Sequence, residues 1–584
     1  MAVTKVFTKI ALSVGVVLTI ATTSGTKGEA QSNRVARRGG PHDWSHGRLI
    51  ASRFGRSLDR KIDGDWRTWA KQQRLANAKA MQNSPIVNWF DLLSQAFAPK
   101  KPQPAAEHLD WNLRTGGTGA VVGTPAKYSW DISASNCADV IYYTVDQAGV
   151  NNVAPNVIAI TNPYAGCSGN AAGTTPTVKW AIALPTGTAT SPVPSLDGTV
   201  LYVLEKGTAG VILHAINVNN ITSQTGTYNF GTSNWNTTHT LSTTGMGTSG
   251  EQLFQLTFSG VTNNVSSPYL DYSTNQIFFG DSGGRIRHVV NANLASASID
   301  TTRFTNTCGT SQLQSPVFVN GQVITTSANG RIYRMDTTGL SPYTCVASTQ
   351  AGSGVGADGG VSAPVIDVEN GAIIIVSNDG AGFGVAGVGT FDLMFGSGGS
   401  WTSAAQIGNN ANNIAPVSPA FDDAFWSTNN GNLYVVGNRQ SATDTYLIRV
   451  PYNGSIGTPA GYAQLHRSGG LGALVNTSPV TEFLTASSLT NKDFIYVGGA
   501  GNTGGTTTYY FMNRIRAGFS GTDTTPVTMD NWFQPANGLG VTSGISIDTR
   551  TTAMTGTTAT ANIYFGTIGV TGTQSQIIQL AQQF

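Results

Sequence analysis

The residues able to do chemistry in this chain are few, and they sit in short runs. Gly280-Asp281-Ser282-Gly283-Gly284 could supply a serine nucleophile or one half of an aspartyl pair. A nucleophilic serine needs a positioned His and Asp, and an aspartyl pair needs a second Asp-Thr/Ser-Gly, which the chain lacks. Related runs recur at 327–331 (SANGR), 377–381 (SNDGA) and 428–432 (TNNGN). The run therefore reads as one copy of an inter-strand turn, where the backbone itself demands Gly, Asn and Asp. His214 and His288 fall in matching runs, "VILHAI" and "RIRHVV", and could pair on a metal. Strand histidines satisfied at a sheet interface are the simpler expectation. His42 and His46 have the i, i+4 spacing of a metal pair only in a helix, which Pro41 and Gly47 oppose. The Asp/Asn-Gly runs lack the alternating oxygen ligands and terminal Glu of a calcium loop. The expectation is no catalytic, cofactor-binding or metal-binding residue.

These runs are carried on a repeat. In "SPVFVNGQVITTSANGRIYRMD", residues 315–336, short apolar runs flank Asn320-Gly321 and Asn329-Gly330, the strongest short-range hairpin signal. Similar units begin at Ser191, Ser267, Ser362, Ser418 and Ser478, with a worn copy at Ser543. Their prolines are Pro192, Pro268, Pro316, Pro364, Pro419 and Pro479. A spacing of roughly 50 residues with several strands per unit predicts a β-propeller, each unit one small sheet that buries its faces only by stacking on its neighbours. The 70 glycines and 11% charged residues agree with many short strands and tight turns.

Runs at 139–145, 156–161 and 177–184 read as strands two to four of a further blade without a Ser-Pro start. The expected fold is all-β, with about eight four-stranded blades (seven if the first unit merges with a neighbour). The last unit ends on a third strand, "SQIIQLAQ", so a strand near the start must close the ring. "KYSWDIS" (127–133) is the candidate.

Residues 1–30 read as a signal peptide. Lys5 and Lys9 precede an apolar run from Ile10 to Ala21, and Gly28-Glu29-Ala30 offers a small-x-small cleavage site. The run is short for a spanning helix, and none follows. The address is therefore secreted, extracellular or cell-surface, with the periplasm as the other compartment. In an oxidising compartment the four cysteines make two disulfides. Of three pairings, Cys137–Cys167 and Cys308–Cys345 are favoured, because each brackets the strands of one blade. A metal site is disfavoured, since no Cys-x-x-Cys occurs.

Residues 31–109 form a basic, partly helical arm before a propeller at 110–584. Residues 31–101 carry 14 Lys and Arg against 5 Asp and Glu, whereas 102–584 carry 16 against 25. Ser84-Pro85 starts an amphipathic helix with Ile86, Trp89, Phe90, Leu93 and Phe97 on one face, and 98–106 is a Pro-rich linker. The arm suits contact with an anionic envelope surface or with the acidic propeller, and its exit suggests that it is dispensable for folding. It has no zinc-finger, RNA-binding or helix-turn-helix pattern, so nucleic acid is not an expected partner.

The Ser-Pro start, the "vYv" strand, the Asp/Asn-Gly turn and the following "i-Y/H" strand resemble the pyrroloquinoline quinone-type repeat of quinoprotein-alcohol-dehydrogenase-like propellers, over roughly 127–584. The resemblance implies a propeller, and in that family a quinone held over Ca²⁺ with an adjacent cysteine pair. Here Cys137, Cys167, Cys308 and Cys345 are never adjacent, and the family's Ala-x-Asp-x-x-Thr-Gly-x-x-x-Trp run is missing, with "RMDTTG" (334–339) the nearest approach. No cofactor is expected. "PHDWSHGRLIAS", "DWRTWAKQQR" and "PAKYSWDI" also resemble a group of secreted bacterial propeller proteins, which implies an extracellular setting.

The functional expectation is a non-enzymatic propeller that binds a protein or carbohydrate partner, through exposed aromatics such as Trp401, Trp426, Tyr434 and Trp532 and through insertions such as 219–260. The alternative is an extracellular lyase, hydrolase or degenerate quinoprotein with its site at the central channel.

Overall fold

The computed structural model describes residues 40–43, 48–50 and, apart from loop segments, 108–583. The leader and the helix expected over 86–97 lie outside the described residues. Eight four-stranded antiparallel sheets follow one another along the chain. Among the described residues the only α-helix is Asp423–Thr428.

The first blade is built from β4 (Val121–Ser129), β5 (Val140–Val145), β6 (Val157–Thr161) and β7 (Thr177–Ile182). The three later strands are those expected from the sequence. Within the first, Thr124-Pro125 stands where later blades have Ser-Pro. Blade 4 shows the repeat in its simplest form. Val317–Val319 and Gln322–Thr326 pair with Val319 opposite Gln322, and Asn320 and Gly321 both take positive φ (51° and 75°). That is the type I′ turn its Asn-Gly demands.

Each blade is covered by its neighbours. Val317, Val323, Ile324, Ile332 and Met335 of blade 4 share a core cluster with Tyr269 and Phe278 of blade 3 and with Ile366, Ile373 and Phe391 of blade 5. Equivalent clusters join blades 1 and 2, 2 and 3, 5 and 6, 6 and 7, 7 and 8, and 8 and 1. All five residues of Gln322–Thr326 are buried, as expected of a strand covered on both faces.

The ring closes on β3 (His108–Arg114), not on 127–133. β3 pairs antiparallel with Gln576–Gln583, the third strand of blade 8, from His108 opposite Ala581 to Arg114 opposite Gln576. Lys127–Ser129 instead end β4. The physical reason is alternation: Trp111 and Leu113 are buried on one face of β3 beside Tyr564 and Ile577.

An insertion between the third and fourth strands of blade 2 reaches back over this seam. Its hairpin, Thr227–Asn229 with Asn234–Thr237, stacks Tyr228 on Trp235. The Trp235 indole donates to the Arg114 carbonyl (2.9 Å), and the Arg114 amide donates to Tyr228 Oη (3.0 Å). His239 then runs beside β7, exchanging backbone bonds with Ala181 and Ala183 (2.8 Å each). This covers an outer sheet edge otherwise open to other strands. Val527–Thr528 does the same for Gly461–Gln464 of blade 6.

The disulfides are Cys137–Cys167 and Cys308–Cys345, with Cα atoms 5.3 and 5.1 Å apart. Closing loops of 30 and 37 residues, each contributes about 3.5–4 kcal/mol in the chain-entropy picture.

Candidate functional site

The inner strand of each blade faces the central channel, and the serines of the Ser-Pro motif start it. Ser191, Ser315, Ser418 and Ser478 of the Ser-Pro pairs are buried, as are Ser362 of Ser-Ala-Pro, Ser543 of the worn copy and Ser266, the residue before Ser267-Pro268. Four of them do one job. Ser266, Ser362, Ser478 and Ser543 accept through Oγ from the amides of Gly280, Val376, Gly498 and Gly566, at 2.8, 3.0, 2.9 and 2.6 Å. The hydroxyl thus satisfies a backbone donor that the two-stranded pairing leaves over. Gly123 is needed at the junction of blades 1 and 2. Its φ is +65°, and a Cβ there would sit 2.2 Å from Ser191 Oγ.

Into this channel runs the chain's own N-terminal segment. β1 (Gly40–His42) pairs antiparallel with β4, Gly40 opposite Ser129 and His42 opposite Lys127. β2 (Leu49–Ile50) pairs parallel with Val365–Asp367, the inner strand of blade 5. Blades 1 and 5 stand opposite each other in a ring of eight, so residues 40–43 and 48–50, together called the strap, place one strand on each side. Between its ends the strap touches two more blades. Asp43 is buried and accepts from Tyr272 Oη of blade 3 (2.8 Å). Arg48, 2% exposed, donates to the carbonyls of Ser315 (2.6 Å) and Pro316 (3.0 Å) and to Ser315 Oγ (2.9 Å). The Ser315 hydroxyl in turn donates a hydrogen bond to the Ser267 carbonyl. Burial lowers the Arg48 pKa to about 9, so the guanidinium stays charged at neutral pH.

This corrects the expectation that the arm as a whole stands outside the core. Part of it is inside the ring. Composition could not show this, because an eleven-residue segment with one Arg and one Asp has no periodicity, and its acceptors come together only when the blades close. His42 ends a strand, so the helical pairing with His46 has no helix to stand on here, and His46 lies outside the described residues.

The other chemical candidates are consumed by structure. Asp281 Oδ1 accepts from the amides of Gly283 and Arg285 (2.9 Å each), and Oδ2 takes the Arg287 guanidinium at 2.6–2.7 Å. That is a turn capped by its own aspartate. Ser327–Arg331 makes the same turn in blade 4. The 428–432 run does not: it follows the helix Asp423–Thr428, with Asn429 as a left-handed cap, between the first and second strands of blade 6.

His214 and His288 are on equivalent third strands but do not meet. His214 lies between Gln252 Oε1 and Glu205 Oε2 (2.8 Å each), and Glu205 also accepts from Thr186. His288 lies between Asp300 (3.0 Å) and Gln276 (2.7 Å), stacked on Phe278. Burial pulls the His288 pKa down to about 4, against the opposing pull of Asp300. Burial works against ionisation of Asp300, yet bonds from the Arg303 amide, His288 and Thr302 hold its carboxyl well below the usual range. Among the described residues no group of three His, Cys, Asp or Glu is placed to hold a metal.

The aromatics expected to be exposed are largely core. Tyr434 is fully buried, its Oη accepting from the Gly518 amide (2.8 Å). Trp401 stacks on Phe391 at 4.5 Å, and Trp426 packs on Phe421 and Phe425. The side chain of Trp532 lies outside the described residues. Of the aromatics in 219–260, Tyr228 and Trp235 lie on the seam, and Phe254 and Phe258 lie in the core between blades 2 and 3.

No family model and no curated protein matches the chain. Solved structures do match over most of it. Sqt1 from Saccharomyces cerevisiae is 12% identical, over 82% of this chain and 98% of its own, at a TM-score of 0.45. BamB from Moraxella catarrhalis is 10% identical over 82% and 100%, at 0.39. The computationally designed Ika8 protein is 10% identical over 82% and 100%, at 0.42. At TM-scores under 0.5 these likenesses say nothing of the site, and the eight-bladed architecture rests on the strand pairings themselves.

Proposed function

We propose that this is an exported, non-enzymatic β-propeller that acts as a binding scaffold for a protein or carbohydrate partner. The observation that carries this reading is the strap: the channel, where the enzyme alternative would put its site, is entered by residues 40–50 of the chain itself. The two conspicuous strand histidines and Asp281 are committed to neighbouring side chains and amides, which supports the same reading. Export rests on the leader-like residues 1–30 and fits two disulfides. Among the described residues no helix is long and apolar enough to cross a membrane. The likeness to quinone-type repeats is, on this reading, one of scaffold, because the cysteines that family places side by side are here far apart and paired elsewhere.

Strand directions add a polarity. Gly40 meets the end of β4, Ile50 meets the end of the inner strand of blade 5, and β3 begins opposite Ala581. Gly40, Ile50 and His108 therefore lie at one face, the one bearing the turns between first and second strands. That arrangement suits contact with an anionic envelope surface. The opposite face bears the turns between second and third strands, among them the blade 7 insertion Gly499–Thr503 and Thr506–Tyr509, and suits a partner. The purified full chain, given pyrroloquinoline quinone and Ca²⁺, should show no dye-linked oxidation of alcohols or aldoses. Quinone-dependent turnover overturns the reading.

A further inference from the structure

The strap is joined to the ring in the way a ligand is. Its backbone adds one strand to each of two inner edges, the mode by which sheets take up extended peptides. Its two buried polar side chains meet groups of the blades: Tyr272 Oη donates to Asp43, and the Ser315 and Pro316 carbonyls with Ser315 Oγ receive Arg48. A planar guanidinium suits that cradle, since it presents several donors in one plane where an ammonium presents a single point. Ring closure does not depend on the strap, because β3 closes blade 8 at the outer rim. β1 runs away from the turn-bearing end of β4 and β2 runs back toward the same end of blade 5, so Gly40 and Ile50 lie at one mouth of the channel.

We propose that the inner edges of blades 1 and 5, together with the guanidinium cradle of blade 4, form a receptor for an extended, arginine-bearing peptide segment of a partner, which the chain's own residues 40–43 and 48–50 occupy in the resting state. The inference rests on the reading of the protein as a binding scaffold and names one of its sites. A partner peptide competes with a tethered copy of its own kind, so its apparent affinity is reduced by the fraction of time the strap is seated. Weakening the strap's anchor unmasks the site.

The test uses the full chain carrying Arg48→Ala and a labelled synthetic peptide of residues 39–52. The variant should bind one equivalent of this peptide. Wild-type protein should bind it at least tenfold more weakly, and the same peptide with alanine in place of its arginine should bind the variant at least tenfold more weakly. Equal binding of the two peptides, or none by a folded variant, overturns the proposal. Hydrogen exchange of wild-type protein decides the matter even if the variant does not fold. The amides of Gly40, His42, Leu49 and Ile50 should exchange through a local opening, well before those of Gln576–Gln583. Exchange of both only with unfolding of the whole ring overturns the proposal. Neither outcome touches the dye-linked assay, so a failure here and a failure of the scaffold reading are told apart.

Discussion

Two stretches from the N-terminal part of the chain each add strands to the propeller, and they are attached by opposite kinds of chemistry. β3 lies on the outer rim, pairs along its length with blade 8, and buries Trp111 and Leu113 in the core between blades 8 and 1. The strap lies in the channel, pairs over three residues at one end and two at the other, and is anchored by a carboxylate and a guanidinium. Apolar burial is non-directional and accumulates with area, which suits a permanent seam. Charge-assisted hydrogen bonds are directional and specific, and much of their strength is recovered in water when they part, which suits a contact that can be remade.

The contrast is broken most severely at the seam. Trp111→Ala should cost about 3–5 kcal/mol in denaturant unfolding, as large-to-small core changes do. A much smaller loss would mean that β3 is not what holds the ring. Next come the disulfides. Replacing Cys308 and Cys345 with alanine should cost about 3.5–4 kcal/mol in the same measurement, as should losing the Cys137–Cys167 bond beside the seam. A loss confined to one bond would show that its partner's loop is already restrained in the unfolded chain.

Acid should separate the ring from the strap. His288 protonates at about 4 in the fold, against an ordinary 6.5. Its contribution is complete above 6.5 and is lost as the pH falls toward 4, about 3 kcal/mol in all by the linkage relation. Asp300 and Glu205, held below the carboxylate range, extend the loss at lower pH. His288→Gln should flatten unfolding free energy between pH 6.5 and 4. An unchanged slope would place the titrating group elsewhere.

The smallest effects sharpen the comparison most. Trp235→Phe removes the indole donor to Arg114 with part of a buried ring, and Tyr272→Phe removes the hydroxyl that bonds to Asp43 and to the Pro194 carbonyl. Each should cost about 1–3 kcal/mol. In hydrogen exchange, the first should loosen Gln576–Gln583 while the second loosens 40–42 and 49–50. Identical exchange patterns would abolish the distinction between seam and strap.

What could be read beforehand was whatever the backbone writes locally. Asn320-Gly321 dictates its turn, the recurring Ser-Pro dictates where each inner strand starts, and alternation marks β5 to β7. Thr124-Pro125 was legible too, had threonine been allowed for serine. So was β3, whose Leu109, Trp111 and Leu113 alternate like any strand. The strap was not legible in the same sense. Nothing within residues 40–50 states that Arg48 will find Ser315, more than 260 positions away, because the cradle is a product of ring closure. The aromatics failed for a related reason. Tyr434 looks identical in sequence whether its ring meets solvent or the neighbouring blade, and only the packing of blade 6 on blade 7 decides.

One consequence of the strand directions remains. Gly40, Ile50, His108 and Gln583 all lie on the same side of the disc. A body held by that side can be mounted like a dish on a wall. The turns between second and third strands stand on the other side, and loops there can lengthen, shorten or change partner without rerouting these strands.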